Sequence, residues 1–190
     1  MNKIEIPLSK TKILLLLLVG FIFVIIGTHS IITPDEYISP VMRNPELIRI
    51  GGIAGILFFG SGSIYAIWKL FDNKVGLSVD EDGIYDNTNA SSVGLIKWTD
   101  ITEIKTEQVA STKFLLIYIK NPNDYISKIK GYKRKLLEMN YRMYGTPLSI
   151  SNNSLKYDFN DLESLINERF SEHCKKCQTA NMNSVKSQDN

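Results

Sequence analysis

The apolar positions of this chain fall into two unlike patterns. From Ile13 to Ile32 they run almost without interruption, ILLLLLVGFIFVIIGTHSII, with no formally charged residue and His29 near the far end. A run of about 20 apolar residues crosses a hydrocarbon core of roughly 30 Å as a helix. It is longer than the apolar core of a signal peptide, and Thr28–His29–Ser30 is a poor cleavage signal, so the segment reads as a retained span. A second run, Ile50 to Phe71, is rich in small residues. In lipid, small residues let two helix backbones approach closely. Gly51 and Gly55 form a GxxxG pair, and Gly20 and Gly27 of the first span are its expected counterpart. Packing within the hairpin is favoured over a homodimer through the same face, because the intramolecular partner is always present.

Beyond Asp72 the pattern changes to short β-like runs. Val75–Val79 and Ile84–Asn87 flank Asp80–Glu81–Asp82–Gly83, a turn sequence. Leu95–Trp98, a partly alternating Ile101–Val109 and the dense Phe114–Ile119 (FLLIYI) follow. A helix is expected from Pro122, a favoured first-turn residue, to Tyr144, stopping at Gly145. Two short strands come next, Pro147–Ser151 and Leu155–Tyr157, around the turn Asn152–Asn153–Ser154. A closing helix spans Asn160 to Phe170, with Leu162, Leu165, Ile166 and Phe170 at helical spacing. The polar segment 173–190 reads as a disordered tail. The fold class is α+β: a transmembrane hairpin (13–32 and 50–71), then a domain over 73–172 with an antiparallel sheet or barrel, an inserted helix and a C-terminal capping helix.

The inserted helix carries the candidate chemistry. Tyr125, Ile129, Tyr132, Leu136, Met139 and Met143 share one face at about 100° per residue. Lys128, Lys135 and Arg142 lie to one side of it, and Lys130, Lys133 and Arg134 to the other. A basic amphipathic helix can lie against an anionic leaflet, at about 1 kcal/mol per well-placed cation. Lys128, Lys130, Lys133, Arg134 and Lys135 are therefore candidate lipid-binding residues. In the plainer reading the apolar face covers the sheet and the lysines are solvated; the two are compatible, since face and flanks are different surfaces.

Charge sets the orientation. Lys3, Lys10 and Lys12 precede the first span, and Lys69 and Lys74 close the second. The loop between them mixes Asp35, Glu36, Arg43 and Glu46, with Arg49 at its edge. Basic residues favour the cytoplasmic side. Both the segment 1–12 and the domain are thus expected in the cytoplasm, on a multi-pass protein of the inner cell membrane. The net charge of +2 over 190 residues argues against a nucleic-acid partner.

Little points to catalysis. His29 lies in the anchor and His173 at the start of the tail. His173 and Cys174–Lys175–Lys176–Cys177 provide too few ligands for structural zinc and follow a helix, the wrong context for a thioredoxin-like motif. Asp80–Gly83 lacks EF-hand spacing. No catalytic residue, metal site or cofactor is expected. The first reading is a non-catalytic binding module that presents its domain to a protein, peptide or anionic lipid headgroup at the inner leaflet. The alternative is an immunity or stress-accessory protein that binds and masks a toxin or membrane enzyme.

Ile6–Pro7–Leu8–Ser9–Lys10, Gly94–Ile101 with its Ile-x-Trp-x-Asp-Ile step, Phe114–Pro122 and Tyr144–Ser151 carry a resemblance. The chain resembles an uncharacterised bacterial family of small two-span membrane proteins with a pleckstrin-homology-like (PH-like) cytoplasmic domain, over nearly all its length to about Phe170. The resemblance implies that Trp98 fills the core and that Asp100 bonds a turn; it brings no active site.

Overall fold

The computed structural model describes residues 2–186. It divides into two compact units: Ser9–Asn73, and a domain built from Met1–Leu8 together with Lys74–Asn190.

The first unit is a helical hairpin. Helix α1 spans Lys10–Ile32, capped by the Ser9 hydroxyl, which accepts from the Lys12 amide at 3.3 Å. A 3₁₀ turn, Pro34–Tyr37, opens the loop, and α2 spans Pro45–Phe71 behind an Asn44 cap. Residues 45–49 thus extend the second helix ahead of its expected apolar run. Both helices are long and apolar enough to cross a membrane. The most apolar windows of α1 and α2 are only 17% and 11% buried, whereas the core helix of a water-soluble protein would be mostly covered. Leu14, Phe21, Ile25, Leu57 and Phe58 all stand exposed.

The two helices meet through small residues, in a phase different from the expected one. A Cβ on Gly27 would lie 3.0 Å from the Gly52 carbonyl oxygen, and one on Gly52 would overlap the Ser30 hydroxyl and lie 2.8 Å from the Gly27 carbonyl oxygen. Gly20 lies against Ser63 and Phe59. Gly51 and Gly55 instead face open space. Gly52, adjacent to the expected Gly51, makes the contact: one residue is about 100° of helix rotation, and the partner's surface decides which glycine is used. Phe23 stacks on Phe59 with ring centroids 4.2 Å apart, further along the same contact.

The second unit is α+β. Strand β1 (Ile4–Ile6) pairs antiparallel with β2 (Leu77–Val79), β2 with β3 (Gly83–Asp86), and β3 with β4 (Gly94–Lys97), giving a four-stranded sheet. Strands β5 (Ile101–Val109), β6 (Thr112–Ile119) and β7 (Leu148–Ile150) form a second antiparallel sheet. Sequence reasoning did not find β1. Its register is Ile4 with Val79, Glu5 with Ser78 and Ile6 with Leu77. The Gly76 amide adds a 3.0 Å bond to the Ile6 carbonyl, and the Lys156 amide another to Pro7. Ile6, Leu77, Val79, Ile84, Ile96, Leu115, Ile117 and Ile150 enclose one core with Trp98, whose indole donates to the Asp80 carbonyl at 2.9 Å.

Three further differences have local causes. The segment Leu155–Tyr157 is not a strand; Leu155 only bridges to Leu8. The inserted helix is two helices, described below. The closing helix, α5, runs Phe159–Lys186, so 173–186 is helical where composition predicts a disordered tail, and 187–190 lie outside the described residues. Leu162 and Ile166 are wholly buried, and His173 stacks on Trp98 beyond Phe170, anchoring the helix further than its apolar stripe reaches.

The glycine geometry predicts opposite outcomes for neighbouring substitutions. Gly52→Ala should destabilise the hairpin by about 1–3 kcal/mol through overpacking. Gly55→Ala should be neutral or stabilising by up to about 1 kcal/mol, through helix propensity alone. Thermal melts of helicity in detergent micelles check both.

Candidate functional site

The insert between β6 and β7 is built from α3 (Pro122–Ser127) and α4 (Gly131–Tyr144). Pro122 starts α3, its missing amide being one that a first turn leaves unpaired in any case. Ile126 is buried, and Tyr125 and Ile129 pack against the core. The Tyr125 hydroxyl donates to Asp100 Oδ2 at 2.8 Å and accepts from the Lys97 amide at 3.4 Å. Burial first, then the bond to Asp100, pushes the Tyr125 pKa up to about 12. Asp100 therefore ties α3 to the turn that follows β4.

The chain then breaks. Lys130 is extended, and Gly131 has φ +67°, a left-handed conformation that strains any residue with a Cβ. This break resets the helical phase. Tyr125 and Ile129 face the core, but the rest of the expected stripe does not follow them. Leu137, a residue outside that stripe, is the buried contact of α4. Asn140 Nδ2 donates to the Pro147 carbonyl and the Ser149 hydroxyl, each at 3.4 Å. The Tyr118 hydroxyl donates to the Tyr144 carbonyl at 3.0 Å, fixing the end of the helix.

Tyr132, Met139 and Met143 consequently turn outward, with exposures of 74%, 50% and 62%. Leu136 is half-buried at the edge of the same row. The face expected to cover the sheet is thus an exposed apolar stripe. A water-soluble surface helix normally turns such a row inward.

The candidate cations are not equivalent. Arg134 pairs with Glu138 at 2.9 Å, one turn on. Lys128 stands over the Tyr125 ring, 5.6 Å from its centroid. Lys130 is exposed at the break, and Lys133 is half-buried on the docked side. Lys135 is exposed beside the apolar stripe, and so is Arg142, a residue of the same flank. Among the described residues neither Lys135 nor Arg142 is paired with a carboxylate.

Elsewhere in the domain, several buried or half-buried polar side chains hold turns. Asp86 Oδ1 accepts from the Thr88 amide and hydroxyl at 2.9 and 2.7 Å, and Ser154 donates to the Thr88 carbonyl at 2.6 Å. Asn89 Nδ2 reaches the Ser149 carbonyl at 2.9 Å. Cys177 Sγ lies 3.4 Å from His173 Nε2 on α5. Among the described residues, no three His, Cys, Asp or Glu side chains are grouped to hold a metal ion.

The Tyr125 bond predicts a pH signature. Unfolded tyrosine ionises near 10, whereas the folded Tyr125 keeps its proton to about 12. Its contribution to stability is thus fully present below the unfolded value and is lost as pH rises between the two. Tyr125→Phe should cost about 1–2 kcal/mol at neutral pH and should flatten that part of the stability profile, measured by denaturant unfolding of wild type and variant in parallel.

Comparison of the chain with protein-family models, with curated proteins and with solved structures returned no match.

Proposed function

We propose that this chain is a non-catalytic, membrane-anchored binding module of the bacterial two-span kind, presenting a PH-like domain at the cytoplasmic face of the inner membrane. The observation that carries the reading is the pairing of β1 with β2. One strand precedes the apolar hairpin and the other follows it, yet they occupy one sheet. If α1 and α2 both cross the bilayer, the number of crossings between those strands is even, which is what a shared sheet requires. The hairpin is then an insertion in the turn between two neighbouring strands, and the domain closes only with both of its ends on one face.

Two further features support the proposal. The four-stranded and three-stranded antiparallel sheets and the long C-terminal helix support the PH-like part of this reading. The lysines of the shared face, Lys3, Lys10, Lys12, Lys69 and Lys74, outnumber Arg43 and Arg49 on the loop side, the bias expected of a cytoplasmic domain.

The native cysteines provide the test. Cys177 is exposed on α5 and Cys174 is half-buried beside it, and the chain has 2 cysteines in all. A membrane-impermeant maleimide should label them in inverted vesicles and leave them unlabelled in intact spheroplasts. A cysteine placed at the fully exposed Val41 of the loop, with Cys174 and Cys177 changed to serine, should behave the opposite way. Labelling of both positions from one side would mean that the helices do not cross.

A further inference from the structure

Tyr132, Met139 and Met143 of α4 stand exposed, with Leu136 half-buried in line with them. Tyr132, Leu136, Met139 and Met143 are one turn apart along a single line, since residues three and four apart are neighbours on a helix. The docked side, with Leu137, Asn140 and Tyr144, lies next to this row, so α4 is fixed to the sheet while the row stays open. On the row's other border stand Lys135, one turn from both Tyr132 and Met139, and Arg142, one turn from Met139; both are exposed. Arg134 and Glu138 form an ion pair beyond them.

We infer that this row, with Lys135 and Arg142 beside it, is a membrane-contact surface on which the domain lies against an anionic lipid leaflet. The composition fits that occupant. A tyrosine offers an apolar ring and a polar tip at the headgroup level, and methionines fill the irregular space between acyl chains. Long cationic side chains keep their charge among headgroups while their stems cover the apolar border. An interfacial helix of this kind inserts shallowly and is held jointly by apolar burial and by attraction to anionic lipid. The chain itself restricts the search, since β2 starts at Leu77 and α2 ends at Phe71. The surface therefore binds in two dimensions from a tether, where a weak contact suffices. The inference rests on the anchored-module reading, and it replaces the broad set of basic candidates with Lys135 and Arg142 and adds the apolar row as the inserting element.

The test uses the full chain in bilayer nanodiscs of phosphatidylcholine, with and without phosphatidylglycerol. Cys174 and Cys177 are changed to serine, and a polarity-sensitive fluorophore is attached at Met139→Cys, Arg134→Cys or Phe21→Cys. Doxyl groups on lipid chains quench from the bilayer, and iodide quenches from water. The surface proposed here predicts lipid quenching at Met139 in anionic discs and iodide quenching at Arg134 on the far side of the same helix. Lys135→Gln with Arg142→Gln should lower the ratio of docked to undocked domain by roughly 30-fold, the loss expected for two cations removed from an anionic surface. Iodide quenching at Met139 equal to that at Arg134 would overturn the inference. So would shielding of Met139 from both quenchers, which would mean that a second copy or another protein surface covers the row. The Phe21 label separates the two levels: it lies on α1 and should be lipid-quenched in every disc. If it is not, the anchor reading fails as well; if it is and Met139 is not, only the membrane contact fails.

Discussion

The pairing of β1 with β2 is the constraint on which the rest of the molecule depends. Three residues ahead of an apolar hairpin join a sheet whose other strands lie beyond it. Without β1 the edge of β2 would present unpaired amides and carbonyls, and Leu77 and Val79 would lose the cover of Ile6. Burial of Ile6 alone is worth on the order of 2 kcal/mol. The bonds from Gly76 to Ile6 and from Lys156 to Pro7, with the bridge between Leu8 and Leu155, extend the seam toward the start of α1. Closing the sheet therefore means bringing together strands separated by the whole hairpin. Closing so long a loop is costly for a flexible chain. A helical hairpin shortens the effective loop, because its two ends return together.

The insert shows how one backbone position redirects a surface. Had α3 and α4 been continuous, Tyr132, Leu136, Met139 and Met143 would have followed Tyr125 and Ile129 onto the core. The left-handed Gly131 interrupts that phase. Asp100 holds α3 through Tyr125, while Leu137 and Asn140 hold α4 by a different face. The apolar row is thereby released to solvent on a rigid support. Rigidity matters for a surface contact, since a row fixed in advance loses less entropy when it binds.

The two long helices, the turn at Asp80–Gly83, the dense strand β6 and the apolar stripe of α5 were all legible in the sequence, because each is written locally in periodicity or turn chemistry. What was not legible depended on partners far along the chain. Ile4–Glu5–Ile6 alternates, but three residues ahead of a long apolar run read as a flank until β2 is seen beside them. Gly52 could not be told from Gly51 by composition, because both glycines belong to one small-residue run and only the shape of α1 selects between them. The outward stripe was misread for the opposite reason. Its spacing was correct, but periodicity fixes which residues share a face and leaves open which face docks. Gly131, the signal that could have shown the break, lies inside the segment whose composition reads as one helix, and a lone glycine carries no indication of the phase change behind it. The helical continuation through 173–186 is anchored at its start by the stacking of His173 on Trp98, a contact that polar composition does not encode.

The most direct measurement of this account is a cross-link between the strands on either side of the hairpin, made in native membranes. Glu5 and Ser78 are register partners, so Glu5→Cys with Ser78→Cys, in a chain whose Cys174 and Cys177 are serine, should form a disulfide under mild oxidation. The loop is then cut at a protease site inserted at Val41. The two halves should stay joined until a reductant is added, whereas Lys105→Cys on β5, used in place of Ser78→Cys, should let them part. Separation of the Glu5–Ser78 pair without reductant would mean that the segment before the first span is not a strand of the domain, and the shared face of the hairpin would lose its structural basis.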